Sequence, residues 1–257
     1  MCGAISRPTP RSNKPLNNPK SDTGRGTLVP RPLTVTVQPS ATTTALIYAA
    51  ATTPLGATLI LGHGAGAGQR HAFMVDTALA LRALGLDVVT FNFLYTEQGR
   101  KLPDRRPVLE TCYGAVIDAV RQEVESARTS LFIGGKSMGG RMATHVAAAD
   151  PNLNVKGLVL LGYPLHPPGR PDERRDAHLP AVGRPMLFVQ GSRDGFGTPH
   201  ELAPVLQTLA PVPALHVVDG GDHSFKISRK DPALQAAVYD DIRQTIVDWI
   251  RDLTTAR

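Results

Sequence analysis

The chain has 257 residues, 28 of them Lys or Arg against 22 Asp or Glu, which gives a formal charge of +6, and 42% are hydrophobic. That is enough for one α/β unit of about 250 residues, and no apolar run reaches the roughly 18 residues of a membrane helix, so no membrane partner is expected. Two cysteines, Cys2 and Cys112, are too few for a disulfide framework, and a reducing, cytoplasmic compartment is expected.

Residues 1–32 read as a disordered, basic, Pro-rich tail, and residues 33–257 as a single domain. Pro8, Pro10, Pro15, Pro19, Pro30 and Pro32 break a polar stretch with few large apolar side chains to bury. The segment lacks the apolar core of a secretory signal. Through residue 33 the cations Arg7, Arg11, Lys14, Lys20, Arg25 and Arg31 face Asp22 alone, which leaves only +1 on the remainder. A nucleic-acid-binding body needs a basic surplus of its own, so nucleic acid is not an expected partner.

From residue 33 the pattern becomes regular. Leu33 to Val37 alternates with a period of two, and Ala45 to Tyr48 reads as its antiparallel neighbour across a polar turn. Six short apolar runs follow, as buried parallel strands require: Ala57 to Leu61, Leu86 to Phe93, Ser130 to Ile133, Val155 to Leu161, Pro185 to Gln190 and Ala214 to Val218. Val108, Cys112, Val116, Val120 and Val124 draw one apolar stripe down a helix; Leu234, Val238, Ile242 and Ile246 draw another. The alternation predicts an α/β fold with a mostly parallel eight-stranded sheet, helices on both faces and no second domain.

The strongest chemical signal is Gly135-Lys136-Ser137-Met138-Gly139, which follows a predicted strand and precedes a helical run from Arg141 to Ala149. This is the G-x-S-x-G pattern, in which glycines permit a tight strand-to-helix turn with a serine hydroxyl at its apex. The string is no P-loop, because Ser130 stands where the first glycine is required. Gly62-His63-Gly64-Ala65-Gly66-Ala67 fits a relaxed dinucleotide fingerprint, but the next strand ends Phe91-Asn92-Phe93-Leu94 without the acidic residue that reading needs. The glycine run is instead expected to offer a backbone N–H to an oxyanion, from Ala65 or its neighbour Gly64, beside that of Met138.

A serine nucleophile needs an acid and a histidine, in that order downstream. Asp194 follows the strand that ends at Gln190, and His223 follows the strand that ends at Val218, each at the carboxyl end where open α/β sheets bind ligands. Asp219 and Asp222 are rival acids too near His223 in sequence to orient its ring. Among the other seven histidines, His63 is expected to brace the glycine loop, and His145 and His216 to be packing or surface residues. No His, Cys and Asp cluster has metal-ligand spacing, so neither a metal nor a cofactor is expected.

These residues resemble the α/β-hydrolase superfamily near its dienelactone-hydrolase-like members. The strings His63 to Gly68, Phe91-Asn92-Phe93, Gly134 to Arg141, Gly162 to Gly169, His178-Leu179-Pro180, Gly191 to Gly197 and Gly221 to Ser224 are similar to a narrower family. It includes testis-expressed protein thirty and a subunit of the nonspecific-lethal chromatin complex. The resemblance implies the α/β-hydrolase fold and says less about reaction. Dienelactone hydrolases carry a cysteine nucleophile where Ser137 stands here. Residues 162–184 leave room for a minimal cap, and Tyr95, His166 and His178 are expected at the substrate. Arg100, Lys101, Arg105 and Arg106 are open to two readings, a pull on an anionic substrate or a solvated charge run. The expected function is a serine hydrolase (carboxylesterase- or thioesterase-like) acting on a small ester or thioester through Ser137, Asp194 and His223. Acyl transfer by the same residues stays open, as does an interaction module that keeps the fold without catalysis. Oligomeric state is unreadable.

Overall fold

A computed structural model of the protein describes residues 29–227 and 231–255. The predicted tail lies outside the described residues up to residue 28, as does Cys2. An antiparallel pair opens the fold, β1 (Arg31–Gln38) and β2 (Ala41–Tyr48). Then come β3 (Thr58–Gly62), α1 (Ala72–Ala83), β4 (Asp87–Phe91), α2 (Leu94–Glu97), α3 (Arg106–Glu123), α4 (Glu125–Thr129), β5 (Leu131–Lys136) and α5 (Met138–Ala149). They are followed by β6 (Gly157–Leu161), a 3-10 turn (Leu179–Ala181), β7 (Met186–Gly191), α6 (Pro199–Leu206), β8 (Ala214–Val218) and α7 (Pro232–Thr255). The first strand begins at Arg31 rather than Leu33. Pro32 does not prevent this, because β1 is an edge strand and lacks an outer partner for a missing N–H.

The eight strands form one sheet in the order β1-β2-β4-β3-β5-β6-β7-β8. β1, β2 and β4 pair antiparallel, and all pairings from β4 through β8 are parallel. Alternate side chains divide the core in two. Along β6, Leu158 and Leu160 face α3, α5 and α6, while Val159 and Leu161 face α1 and α7. All five residues of β6 are buried, as expected of a strand covered on both faces. Every parallel strand therefore delivers its carboxyl end to the same rim.

That rim is pinned from below by Tyr113 of α3. Its buried hydroxyl donates to Gly134 O at 2.6 Å and accepts from Gly134 N at 2.9 Å, inside β5. One side chain thus satisfies both backbone groups of the residue just before the G-x-S-x-G string. No helix among the described residues is long and apolar enough to cross a membrane.

Candidate active site

Ser137 sits between β5 and α5 with φ 52° and ψ −113°, a conformation that non-glycine residues rarely hold. Two glycines make the turn possible. A Cβ on Gly135 or on Gly139 would run into the Gly62 carbonyl oxygen of β3. Close approach of β3, β5 and α5 thus demands glycine at both flanks, and the turn between them thrusts the serine outward. The Ser137 N–H is held by Leu161 O at 2.9 Å.

His223 and Asp194 meet it there. His223 Nδ1–H donates to Asp194 Oδ2 at 2.8 Å, which leaves Nε2 to accept from Ser137 Oγ–H at 2.9 Å. Asp194 is 1% exposed and fully engaged. Phe196 N donates to its Oδ1 at 2.8 Å, and Gln190 Nε2 donates to its Oδ2 at 2.9 Å. Gln190, buried at the end of β7, also bonds Gly197 O at 2.6 Å and accepts from Tyr163 N at 2.8 Å. It ties the acid loop to the loop after β6. The rival acids serve turns: Asp222 Oδ1 accepts from Ser224 N and Lys226 N, and Asp219 faces Ser192 Oγ at 3.4 Å.

The glycine loop after β3 reaches over the serine. A Cβ on Gly64 would lie 3.7 Å from Ser137 Cβ. His63 braces this loop from beneath: Nδ1–H donates to Gly64 O at 2.9 Å and Nε2 accepts from Phe93 N at 3.2 Å. Its burial lowers the imidazole pKa, which keeps the ring neutral in that role. Gly64, Ala65, Ser137, Met138 and His223 all border one cleft of about 870 Å³. Met138 opens α5, where the first-turn N–H groups have no carbonyl one turn back and point at this space.

The family described as an alpha/beta hydrolase domain matches residues 56–251. The chain belongs to that family. The solved structures similar to this hydrolase domain include an alpha-beta serine hydrolase homologue from Coxiella burnetii. It has TM-score 0.66 and 18% identity, over 85% of this chain and 96% of that one. A serine hydrolase without lid from Xanthomonas campestris gives TM-score 0.64 and 22% identity over 87% and 98%. A dienelactone hydrolase from Anabaena variabilis gives 0.65 and 20% over 86% and 96%. These likenesses show a shared fold. A Mycobacterium tuberculosis protein with the provisional name phosphoribosyl transferase is 28% identical over 200 residues, 76% of this chain. The hydrolase domain spans only 40% of that relative's length.

Three residues expected at the substrate lie off the cleft wall of the hydrolase domain. Tyr95 is 1% exposed, its ring edge-on to His63 at 5.9 Å behind the glycine loop. His166 is buried between Pro167 O at 2.8 Å and Glu201 Oε1 at 3.2 Å. His178 stacks on His145 at 3.6 Å and bonds Thr144 Oγ1 at 2.8 Å. Burial, then the nearby Arg141 and Arg106, push the His178 pKa down to about 4. The two histidines spend ring nitrogens on partners within the protein, whereas the Tyr95 hydroxyl is buried without a hydrogen-bond partner. Tyr95 and His166 follow closely on strands and His178 lies within the cap segment, but none of the three borders the cleft.

The wall is built instead by residues that strand-end reasoning passed over. Phe196 lies against the His223 ring at 4.2 Å, and Pro164, Arg141 and Arg175 close the α3–α5 side. Met74, Tyr239 and Arg243 close the other. Cys112 is buried, and burial raises its thiol pKa to about 12, so it remains a protonated packing group.

Proposed function

We propose that the chain is a serine hydrolase of small ester or thioester substrates, with Ser137 as nucleophile, His223 as general base and Asp194 as its orienting acid. The unbroken hydrogen-bonded chain from Asp194 through His223 to Ser137 carries this reading. Ser137 Oγ attacks the carbonyl carbon as His223 Nε2 takes the hydroxyl proton. The oxyanion is received by the N–H groups of Met138 and Ala65, with Gly64 as the neighbouring donor. Collapse breaks the carbonyl–oxygen or carbonyl–sulfur bond, and His223 returns the proton to the leaving group. Water then attacks the acyl-enzyme, gives its proton to His223, and the acid departs as Ser137 is reprotonated. Asp194 keeps the proton on Nδ1 throughout and stabilises the imidazolium. Within the superfamily we place the chain beside testis-expressed protein thirty, on the strength of the Gly162 to Gly169 string.

A fluorophosphonate probe tests the assignment. The folded wild type is expected to label covalently and to release 4-nitrophenol from short acyl esters. Ser137→Ala is expected to lose labelling and to lower kcat by about 10⁴-fold or more. A folded wild type that neither labels nor hydrolyses any ester of the panel overturns the reading.

A further inference from the structure

The cleft is walled on one side by cations that the reaction does not use. Arg141 stands four residues after Ser137, one turn along α5, with its N–H on Ser137 O at 3.0 Å. Side chains of a helix lean toward its N-terminus, so the Arg141 stem runs back toward the nucleophile. Arg175, from the loop after β6, and Arg106, at the start of α3, border the same stretch of wall.

Two of these three guanidinium groups have no carboxylate paired with them. Arg106 is matched by Glu110 at 3.3 Å. Arg141 and Arg175 make no ion pair with any carboxylate among the described residues. Arg141 Nε is sealed from solvent without a hydrogen-bond partner. The two carboxylates of the cleft do not answer them: Asp104 is held by Arg100 at 2.6 Å, and Asp76 is exposed on α1 across the opening. A sealed guanidinium N–H left unsatisfied in a cavity wall is a costly arrangement for the empty protein. It is a preorganised one for a planar anion, which two guanidinium groups can grip with paired N–H bonds. Burial lowers the Arg141 pKa, and repulsion from Arg175 and Arg106 adds to that, so an arriving negative charge relieves both.

Resting on the serine-hydrolase reading above, we propose that the substrate is a carboxylate-bearing ester, its carboxylate held by Arg141 and Arg175 while its carbonyl lies on Ser137. Charged donors of this kind distinguish an anionic from a neutral substrate by roughly 10- to 100-fold. The wild type should therefore hydrolyse 4-nitrophenyl hydrogen glutarate with a kcat/KM higher by that factor than 4-nitrophenyl pentanoate. If the carboxylate belongs to the alcohol half, the same preference appears for 4-acetoxybenzoate over phenyl acetate instead. Arg141→Met should bring the preferred ratio close to one, and Arg141→Lys should keep part of it. Arg175→Met serves as the second variant where Arg141→Met folds poorly. Ratios near one for both wild-type pairs, with neutral esters turned over, overturn the proposal and leave the hydrolase reading standing. Calorimetric titration of glutarate into Ser137→Ala separates the two ideas. Should no ester be cleaved, saturable binding that disappears in Ser137→Ala with Arg141→Met keeps the anion site and removes the hydrolase reading. Absence of both cleavage and binding removes both.

Discussion

Lys136 precedes Ser137 and turns its side chain the other way from Arg141, toward the ring of Phe225, with Nζ 5.4 Å from the centroid. The ammonium is sealed from solvent and has no hydrogen-bond partner. Burial lowers its pKa to about 8, against the opposing pull of Asp194 and Asp222. The unfolded chain holds this proton up to its ordinary 10.5. Between about 8 and 10.5 the unfolded state binds the extra proton, so stability rises with pH in that window and is lost as pH falls from 10.5 to about 8. Below the window the folded state carries the full burden, about 3 kcal/mol at 1.36 kcal/mol per pKa unit. Lys136→Met should therefore be more stable than wild type at pH 7, by about 1–3 kcal/mol in urea unfolding. The advantage should shrink when the same pair is compared at pH 10. An identical difference at both pH values would show that the ammonium is not the source.

Among the elements, α3 is hydrogen-bonded to the strand before Ser137 through a single side chain. Tyr113 crosses from that helix to occupy both backbone groups of Gly134, two residues before the lysine and three before the serine. Tyr113→Phe keeps the ring and strips the hydroxyl, leaving a buried N–H and C=O with one partner fewer each. It should lower stability by about 1–3 kcal/mol in chemical denaturation. A loss below 0.5 kcal/mol, or about the noise of a neutral surface change, would mean that β5 relaxes to find other partners. Tyr113 shares α3 with the stripe through Cys112 and Val116 that made the helix legible, yet nothing in that periodicity says that its hydroxyl enters a strand. Boundaries were legible to within a few residues where an apolar run marks a strand. The apolar run of β4 extends to Phe93, but the strand stops at Phe91 because Phe93 already caps α2. The helical pattern of α5 is legible only from Arg141, but the helix starts at Met138, since Gly139 and Gly140 are helical here for the sake of contact with β3 and β5. Small residues chosen for close packing look like a loop when read alone.

At the scale of the molecule, the convergence of Ser137, Asp194 and His223 could be read because a parallel sheet gathers its strand ends on one rim, whatever the helices do. The substrate wall could not. Arg141 and Arg175 come from a helix and a cap loop whose approach depends on tertiary packing, and of the wall's cations only Arg106 belongs to the charge run at residues 100–106. Formal charge misleads in the same way: the +6 of the chain is concentrated before residue 34, while the local field in the cleft comes from a few unpaired side chains. That distinction has a kinetic consequence. Local cations that meet an anionic ester attract it over distances that salt shortens, from about 10 Å at 0.1 M to about 3 Å at 1 M. A low-dielectric cleft in which cations outnumber carboxylates focuses that attraction on the encounter step. Raising NaCl from about 0.1 M to 1 M should therefore lower kcat/KM for the carboxylate-bearing ester at least about threefold, through KM more than kcat. The neutral ester of equal chain length serves as the internal control for salt effects on the protein itself. Arg141→Met should flatten the salt slope of the anionic ester toward that control. Parallel slopes for the two esters in the wild type would mean that the cleft exerts no net pull, and that the guanidinium wall is screened by side chains that rearrange in solution.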